Sequence, residues 1–222
     1  MPSVDFPVGI VLAGGLSTRM GSCKQLLPLC GKPLIQYTIE ILLEAGLTNL
    51  VITVNPFTRE TVKAIFKAVT LKKTSRRRSL SCEFVVNTEP DRGQGSSAAL
   101  AVKTAVLTRP SGFLFCTADQ PFLNAESVAR LCTVFRNNSE HIVSSAFGER
   151  RCSPAVFPFS LSQELMQLNG ANGGREVINV HKDILMLSQL GSEIEMFDID
   201  TPADFRYAEQ YLHKRQSAGQ KK

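Results

Sequence analysis

Short apolar runs rich in β-branched residues alternate with amphipathic stretches along the whole chain. Such alternation is typical of βαβ units, in which helices connect parallel strands. The apolar runs predict seven strands, at Val8–Leu12, Leu50–Asn55, Glu83–Asn87, Gly112–Cys116, Ile142–Ala146, Ala155–Phe157 and Glu193–Phe197. We therefore expect an α/β fold with a mostly parallel central sheet.

The stretches between these strands have the periodicity of helices. In the first, Leu34, Ile35, Ile39 and Leu42 fall on one face, and Gly46 follows as a C-cap. The seven predicted helices are at Pro33–Ala45, Arg59–Val69, Ser96–Leu107, Ala125–Arg136, Leu161–Leu168, Gly174–His181 and Pro202–Lys214.

Length and composition fit one globular domain. The chain has 222 residues, of which 43% are hydrophobic and 20% are charged, so collagen-like, disordered and coiled-coil proteins are excluded. We place the domain at residues 1–215 and expect a disordered tail at 216–222. Residues 71–81 are basic, rich in serine and poor in apolar side chains, which predicts an exposed loop inserted in the domain.

The net charge of +5, from 25 basic and 20 acidic residues, by itself suggests nucleic-acid binding. Nine of the basic residues, however, lie in the segments 72–78 and 214–222, which contain no acidic residue. The rest of the chain has 16 basic residues against 20 acidic ones, a balance of −4. The surplus is confined to two segments, and we do not expect nucleic acid to be a partner.

The sequence also bears on the location of the protein. No apolar stretch reaches the roughly 18 residues that a membrane span needs, and residues 1–30 lack the pattern of a signal peptide. The six cysteines are scattered, without a Cys-x-x-Cys pair, which favours free thiols in a reducing compartment. We expect a cytoplasmic protein with no membrane partner.

The first predicted strand runs directly into a loop that contains Gly14 and Gly15, followed by Arg19 and Lys24. Backbone N–H groups at glycines form anion cradles, and the carboxyl edge of a parallel sheet is where such folds bind ligands. The loop matches neither the Rossmann fingerprint nor the P-loop pattern, and a tight turn would also explain two glycines. The two cations at fixed offsets favour a phosphate site.

Two aspartates follow predicted strands near the same edge. Asp119 comes just after the fourth strand and precedes Pro121, and Asp200 lies between the last predicted strand and Pro202. Two carboxylates from separate elements suit Mg²⁺ when nucleotide phosphates complete its coordination. An Asp-Gln-Pro turn and an N-cap of the last helix are the alternative explanations.

Together these segments resemble the MobA-like NTP transferase family, and within it most closely the molybdenum cofactor cytidylyltransferases. Four segments in chain order carry the resemblance: Leu12–Lys24 (LAGGLSTRMGSCK), Leu27–Leu34 (LPLCGKPL), Ala118–Leu123 (ADQPFL) and Asp198–Asp204 (DIDTPAD). The resemblance implies a three-layer α/β/α, Rossmann-like nucleotidyltransferase fold. It also implies transfer of a nucleotide from an NTP to a phosphate acceptor, with loss of pyrophosphate.

The resemblance assigns residues to roles. Lys24, Arg19 and Asp119 would be catalytic, and Asp119 and Asp200 would hold Mg²⁺ as the cofactor. The nucleotide would be bound by Leu12, Ala13, Gly14, Gly15, Arg19, Lys24, Gly95, Ser96 and Ser97. Nucleotidyl transfer depends on positioning and charge neutralisation, so the chemistry needs no Ser/His/Asp triad.

The resemblance gives conflicting indications of the base. Residues 91–98, which include Ser96 and Ser97, resemble cytidylyl members, and this stretch also opens a predicted helix whose N-terminus suits an anion or polar edge. Leu12–Gly15 is closer to the guanylyl form of the first loop. We give the serines more weight and predict CTP rather than GTP.

The acceptor implied by the resemblance is molybdopterin or its molybdenum form. Gln120, Ser153 and Arg175 would contact it, and the product would pass to a molybdenum hydroxylase. Cys152 and Ser153 stand where the family commonly has Gly and His, which is a departure at the acceptor pocket. Arg175 would equally suit a solvated helix start.

Three alternatives remain at this stage. The first is a family enzyme that uses GTP, or a sugar or polyol phosphate as acceptor. The second is a non-catalytic accessory protein that hands cofactor to a partner enzyme, although the acids of a metal site argue against it. The third is nucleic-acid binding through Lys72–Arg78, which predicts a strongly salt-dependent affinity.

Overall fold

The computed structural model describes residues 6–15, 23–72 and 80–219. Within these ranges the strands, in chain order, are β1 (Val8–Ala13), β2 (Pro28–Leu29), β3 (Lys32–Pro33), β4 (Asn49–Val54), β5 (Ser81–Val86), β6 (Gly112–Thr117), β7 (Ile142–Phe147), β8 (Arg150–Pro158) and β9 (Leu185–Gln189). The two short strands β2 and β3 form an antiparallel pair, and the other seven form the central sheet.

The central sheet has the order β5-β4-β1-β6-β8-β7-β9. β1 is parallel to β4 and β6, β4 is parallel to β5, and β7 is parallel to β9. β8 alone runs the other way, antiparallel to β6 and β7. The predicted mostly parallel sheet is therefore confirmed, and β1 and β6 are buried along nearly their whole length, as parallel strands covered on both faces are.

Helices cover both faces of this sheet. In chain order they are α1 (Leu34–Glu44), α2 (Arg59–Lys72), α3 (Gln94–Ala105), α4 (Ala125–Asn137), α5 (Ser162–Leu165), α6 (Arg175–Val180) and α7 (Pro202–Gly219). One apolar cluster joins α1, α2 and α4 to alternate strand residues such as Val11 and Ile52. The other joins α3, α5 and α6 to the intervening residues, such as Ile10 and Val51. This is the predicted three-layer α/β/α arrangement.

The predicted strand at Glu193–Phe197 is wrong. Residues Glu193–Met196 form a short 3₁₀ helix, which begins with a capping box in which the side chains of Ser192 and Glu195 each accept the backbone N–H of the other residue. Glu195 is 3% exposed, and its carboxylate also accepts the backbone N–H of Asn124 at 3.1 Å. The last strand of the sheet is instead β9, which the sequence pattern did not predict and which, among the described strands, pairs with β7 alone.

Helix α7 packs outside the three layers. Ala208 of α7 joins Leu29, Leu34, Phe122 and Ile199 in a third apolar cluster. The helix continues to Gly219, so residues 216–219 are helical rather than part of the predicted disordered tail, and residues 220–222 lie outside the described ranges. Leu71 belongs to α2 and Ser81 to β5, and residues 73–79 of the predicted basic loop also lie outside.

Two further expectations concern membrane-spanning helices and the cysteines. In the part of the chain that the structure describes, every helix is too short or too polar to cross a bilayer. The six cysteines are free thiols, as predicted.

Candidate active site

The start of the loop after β1 is held by hydrogen bonds with buried polar side chains. Gln25, which is 4% exposed, donates its amide to the carbonyls of Ala13 at 3.2 Å and Gly15 at 3.0 Å. The hydroxyl of Thr53 accepts the N–H of Ala13 at 3.3 Å. These bonds hold the backbone of Ala13 and Gly15 in place at the carboxyl edge of the sheet. Gly15 is exposed there, as a phosphate cradle requires.

Gly14 touches the start of α3 so closely that a side chain would not fit. A Cβ on Gly14 would lie 2.7 Å from the hydroxyl oxygen of Ser97. Asn87, which follows β5 and is 1% exposed, donates its amide to Ser96 Oγ at 3.0 Å and to Ser97 Oγ at 2.9 Å. The hydroxyl of Ser96 in turn donates to the carbonyl of Gly93 at 2.8 Å. Asn87 therefore fixes α3 against the first loop.

The start of α3 is also engaged by the loop before α6. The N–H of Gly95 donates to the carbonyl of Gly170 at 2.8 Å, and a Cβ on Gly95 would meet the backbone of Asn169 at 2.6 Å. The N–H of Gly95 is thus used within the fold rather than presented to an anion. Direct contacts from Gly95, Ser96 and Ser97 to a nucleotide stay a prediction.

Lys24 is the centre of the site. It begins a short 3₁₀ helix after the first loop, and its ammonium lies 2.7 Å from Asp119 Oδ2 and 2.9 Å from Asp200 Oδ1. It also donates to the carbonyl of Ile199 at 2.9 Å. The side chains of Lys24 and Asp119 are 15% and 17% exposed, and that of Asp200 is 42% exposed. The structure therefore brings together three residues that the sequence predicted from three distant segments.

The main chain fixes both carboxylates independently of Lys24. The N–H of Ile199 donates to the carbonyl of Asp119 at 3.0 Å, which joins the loop after β6 to the segment before α7. Asp204 Oδ2 accepts the N–H of Asp200 at 3.1 Å, the N–H of Thr201 at 2.7 Å and the hydroxyl of Thr201 at 2.8 Å. Thr201 and Asp204 cap the start of α7 with each other, and the carboxylate of Asp200 accepts from the Lys24 ammonium. The cap at the start of the last helix, one of the alternative explanations, is thus provided by Thr201.

The electrostatics of the site reflect its concentration of charge. Burial lowers the pKa of Lys24, but Asp119 and Asp200 outweigh it, so the pKa lies above its usual value. Asp198 remains in contact with solvent, yet partial desolvation and the charge of Asp119 raise its pKa to about 6, against an opposing hydrogen bond from Gln120. The raised pKa of Lys24 reflects the two carboxylates beside it, whereas that of Asp198 comes first from desolvation and then from the charge of Asp119.

The donor atoms fit a magnesium ion in part. Among the described residues, no group of three or more His, Cys, Asp or Glu side chains is arranged to hold a metal. Two carboxylates are nevertheless present, and Asp119 Oδ1 is buried without a hydrogen-bond partner within the described ranges. Hard carboxylate oxygens are the protein ligands that Mg²⁺ takes beside substrate phosphates, so the residues fit such an ion.

The other predicted site residues lie on separate elements. Leu12 is half-buried in β1, and Arg19 lies outside the described residues. Gln120 is 2% exposed, and its Oε1 is buried without a partner in the described part of the chain. Ser153 is half-buried in β8, and Arg175 is exposed at the first residue of α6.

Sequence reasoning missed several residues that shape the site. Asn55 and Asn87 follow β4 and β5, Gln25 is next to Lys24, and Asp198 is next to the cluster. Asn55 donates its amide towards the carbonyl of Gly15 at 3.5 Å. The available signal was a polar residue at the end of an apolar strand, because such residues meet at one edge of a parallel sheet.

Comparison with curated relatives connects this geometry to named proteins. Purine catabolism protein PucB of Bacillus subtilis (strain 168) is 26% identical over 208 residues, covering 89% of this chain and 93% of PucB. The molybdenum cofactor guanylyltransferase of Rhizobium meliloti (strain 1021) is 27% identical over 218 residues, covering 93% of this chain and 92% of that enzyme. Both likenesses extend over nearly the whole of each protein.

Solved structures show the same fold. Rv0371c from Mycobacterium tuberculosis H37Rv superposes with a TM-score of 0.73 at 22% identity, covering 92% of this chain and 98% of its own. The manganese complex of the same protein has a TM-score of 0.68 at 20% identity, with the same coverage. The family model for the MobA-like NTP transferase domain matches residues 9–184. The chain therefore belongs to the MobA-like NTP transferase domain family and is a nucleotidyltransferase.

Proposed function

We propose that this chain transfers CMP from CTP to the terminal phosphate of a molybdopterin-type acceptor, with release of pyrophosphate, in a reaction that requires Mg²⁺. The observation that carries the proposal is the ammonium of Lys24 between the carboxylates of Asp119 and Asp200. This cluster is the charge arrangement that triphosphate transfer needs. It belongs to the same sheet edge as the loop of Gly14 and Gly15.

The protein groups would act by binding and orientation. The N–H groups at Gly14 and Gly15 bind phosphate oxygens, and Lys24 moves from the carboxylates to the α-phosphate, where it neutralises developing charge. Asp119 and Asp200 would hold Mg²⁺, which would supply charge neutralisation on the triphosphate. The manganese complex of the structurally similar Rv0371c supports a divalent ion in this fold.

Lys24 lies between the two carboxylates that would hold the ion. Lys24 and a divalent cation would therefore compete for the negative charge of the same two side chains, and binding of the triphosphate would offer the ammonium another partner. Nucleotide and metal binding are coupled in this proposal, because each removes a competitor of the other.

The narrow contact between the first loop and α3 supports CTP. Gly14 and Ser97 already approach to the limit of contact, and Asn87 holds α3 in that position. Close packing of α3 against the first loop, beside the predicted nucleotide site, suits the smaller pyrimidine base. The second candidate is GTP, because the curated relative from Rhizobium meliloti is named a guanylyltransferase.

The acceptor and the partner of the product are part of the same proposal. Relatives named for molybdenum cofactor support a molybdopterin-type acceptor. Gln120 supports it too, because its buried carbonyl oxygen has no donor among the described residues and suits an N–H of the acceptor. We propose that Ser153 and Arg175 contribute further contacts, and that a molybdenum hydroxylase receives the product.

The test is release of pyrophosphate with each of the four NTPs, with and without molybdopterin, in Mg²⁺ and in EDTA. We expect release with CTP only when both molybdopterin and Mg²⁺ are present. Release with GTP alone among the four would replace the proposed base, and release in EDTA would remove the metal from the proposal.

Asp119→Ala tests the role of the central carboxylate. We expect it to abolish pyrophosphate release while the circular dichroism spectrum is unchanged, because backbone bonds rather than the carboxylate hold this loop. Asp183→Ala, at an exposed aspartate in a 3₁₀ helix, is the matched control. Wild-type activity in Asp119→Ala would exclude that residue as a metal ligand.

A further inference from the structure

The segment between β9 and α7 forms one wall of a groove that no part of the reaction described so far uses. The groove has a volume of about 510 Å³. Phe197, Tyr207 and Tyr211 form its aromatic wall, and Arg150 and Glu193 lie at its rim. We refer to these five residues as the aromatic groove.

The aromatic rings are held in place from behind. The ring centroids of Phe197 and Tyr207 are 5.0 Å apart, and the rings of Tyr207 and Tyr211 are stacked at 6.3 Å. Phe122, which is 6% exposed, packs against Tyr211 with 4.7 Å between the ring centroids. Tyr207 itself is 47% exposed. A supported and exposed ring offers a flat ligand a stacking surface at little cost in side-chain entropy.

The rim of the groove provides polar recognition. Arg150 and Glu193 form an ion pair, and their side chains are 63% and 64% exposed. A carboxylate beside a guanidinium suits a pyrimidinone edge, in which two adjacent N–H groups donate to Glu193 and a carbonyl oxygen accepts from Arg150. Because an exposed ion pair contributes little free energy, breaking it to bind a ligand carries only a small penalty.

The groove is near the catalytic cluster and on the side away from the nucleotide loop. Phe197 precedes Asp200 by three residues, so their Cα atoms are at most about 11 Å apart. Arg150 opens β8, which adjoins β6, the strand that leads to Asp119. Gly14 follows β1, on the opposite side of β6 from β8 in the sheet. A ligand in the groove would therefore face the α-phosphate from the acceptor side.

We propose that the aromatic groove binds the pterin ring system of the acceptor, with one ring face on Tyr207 and the pyrimidinone edge on Arg150 and Glu193. This inference rests on the proposed function, because it gives that acceptor its binding site. The phosphate at the far end of the acceptor then points towards Lys24. A pterin is flat and carries the required N–H and carbonyl groups on one edge, so its chemistry matches both the wall and the rim.

The direct test is binding of pterin-6-carboxylate, which has the ring system without the phosphate, measured by the anisotropy of its own fluorescence. We expect Tyr207→Ala to weaken binding about tenfold, as loss of one stacking ring does for nucleobases. Tyr207→Phe keeps the ring and should bind like the wild type. Phe57→Ala, at an aromatic residue that is 88% exposed and lies outside the groove, is the matched control.

Kinetics distinguish this inference from the proposed function. Tyr207→Ala should raise KM for molybdopterin about tenfold and leave KM for CTP and kcat close to those of the wild type. If transfer occurs and Tyr207→Ala changes neither pterin affinity nor this KM, the groove is overturned and the proposed function stands. If transfer fails with every NTP but pterin binding still depends on Tyr207, the groove stands and the proposed reaction is overturned.

The chain also allows a test against self-association through the groove. The protein has no tryptophan and three tyrosines, two of which line the groove, so pterin binding there should quench the intrinsic tyrosine fluorescence. If Tyr207→Ala instead converts a dimer to a monomer in light scattering and leaves pterin binding unchanged, the groove is a contact between copies. That result overturns the proposal.

Discussion

Removal of the Lys24 ammonium tests the candidate site most severely, because it affects stability, metal binding and transfer in different ways. In Lys24→Ala, the carboxylates of Asp119 and Asp200 lose the ammonium that lies 2.7 and 2.9 Å from their oxygens. These two oxygens are therefore at most about 6 Å apart, and at an effective dielectric constant near 20 they repel each other by about 3 kcal/mol. Screening at the more exposed Asp200 reduces this, so we expect the free energy of unfolding to fall by about 1–3 kcal/mol.

A divalent cation should relieve the same repulsion. We expect Mg²⁺ to raise the Tm of Lys24→Ala more than that of the wild type, because the variant has lost the competing ammonium while keeping both acids. Transfer should nevertheless fall by a factor of about 100 or more, since the metal does not replace the cation at the α-phosphate. Urea denaturation, thermal unfolding in Mg²⁺ or EDTA, and pyrophosphate release measure the three effects.

Lys32→Ala is the control for loss of a lysine ion pair. Lys32 lies 2.6 Å from Glu40, and its side chain is 35% exposed. We expect this variant to lose less than about 1 kcal/mol of stability, and to keep transfer and the wild-type response of Tm to Mg²⁺. If Lys24→Ala behaves like Lys32→Ala in transfer and in metal response, the phosphate and metal sites lie elsewhere in the protein.

Three further substitutions test the surroundings of the site. Gly14→Ala places a Cβ 2.7 Å from Ser97 Oγ, so α3 and the loop must separate. We therefore expect KM for CTP to rise about tenfold or more, and an unchanged KM would show that this contact does not shape the nucleotide site. Glu195→Ala removes a carboxylate that accepts the backbone N–H groups of Asn124, Gly191 and Ser192, and it should lower the free energy of unfolding by about 2 kcal/mol or more. Glu193→Ala, at an exposed ion pair, should change it by less than about 1 kcal/mol; equal losses in urea denaturation would contradict this. Replacing the basic residues of 72–78 by serine should leave binding to DNA and RNA at low salt unchanged, and a loss of salt-dependent affinity in a filter-binding assay would restore the nucleic-acid hypothesis.

The parts of the fold that follow from periodicity were predictable. The apolar face of α1 is set by side chains that are all buried, so the pattern from Leu34 to Leu42 located the helix to within one residue at each end. The alternation in Glu193–Phe197 was misleading, because the capping box of Ser192 and Glu195 stabilises a helical turn there. Edge strand β9 was missed although Leu185, Met186 and Leu187 are apolar, because so short a run does not by itself distinguish a strand from the end of a helix.

The site was predictable in its residue types but not in its contacts. Asp119 follows β6, and residues after parallel strands share an edge, so its place was predictable. Asp200 was a candidate because it follows a segment that was predicted as a strand but contains a 3₁₀ helix instead, and Lys24 because it follows the glycines after β1. The non-sequential strand order and the crossovers decide which of those residues touch, and a single sequence does not encode that order as a local pattern. Asn87 shows the consequence, because its role depends on α3 returning to β1 rather than on any motif around it.

The way in which the two carboxylates are held also determines how the catalytic tests can be interpreted. The backbone bond between Ile199 and Asp119, and the bonds of Asp204 to the start of α7, do not use either metal-site carboxylate. The backbone bond and the Asp204 contacts should therefore persist when the carboxylate of Asp119 or Asp200 is removed, although the ion pair of that carboxylate with Lys24 is lost. Loss of activity in those variants, with an unchanged fold, would consequently report the chemistry of the missing oxygen and not a displaced loop.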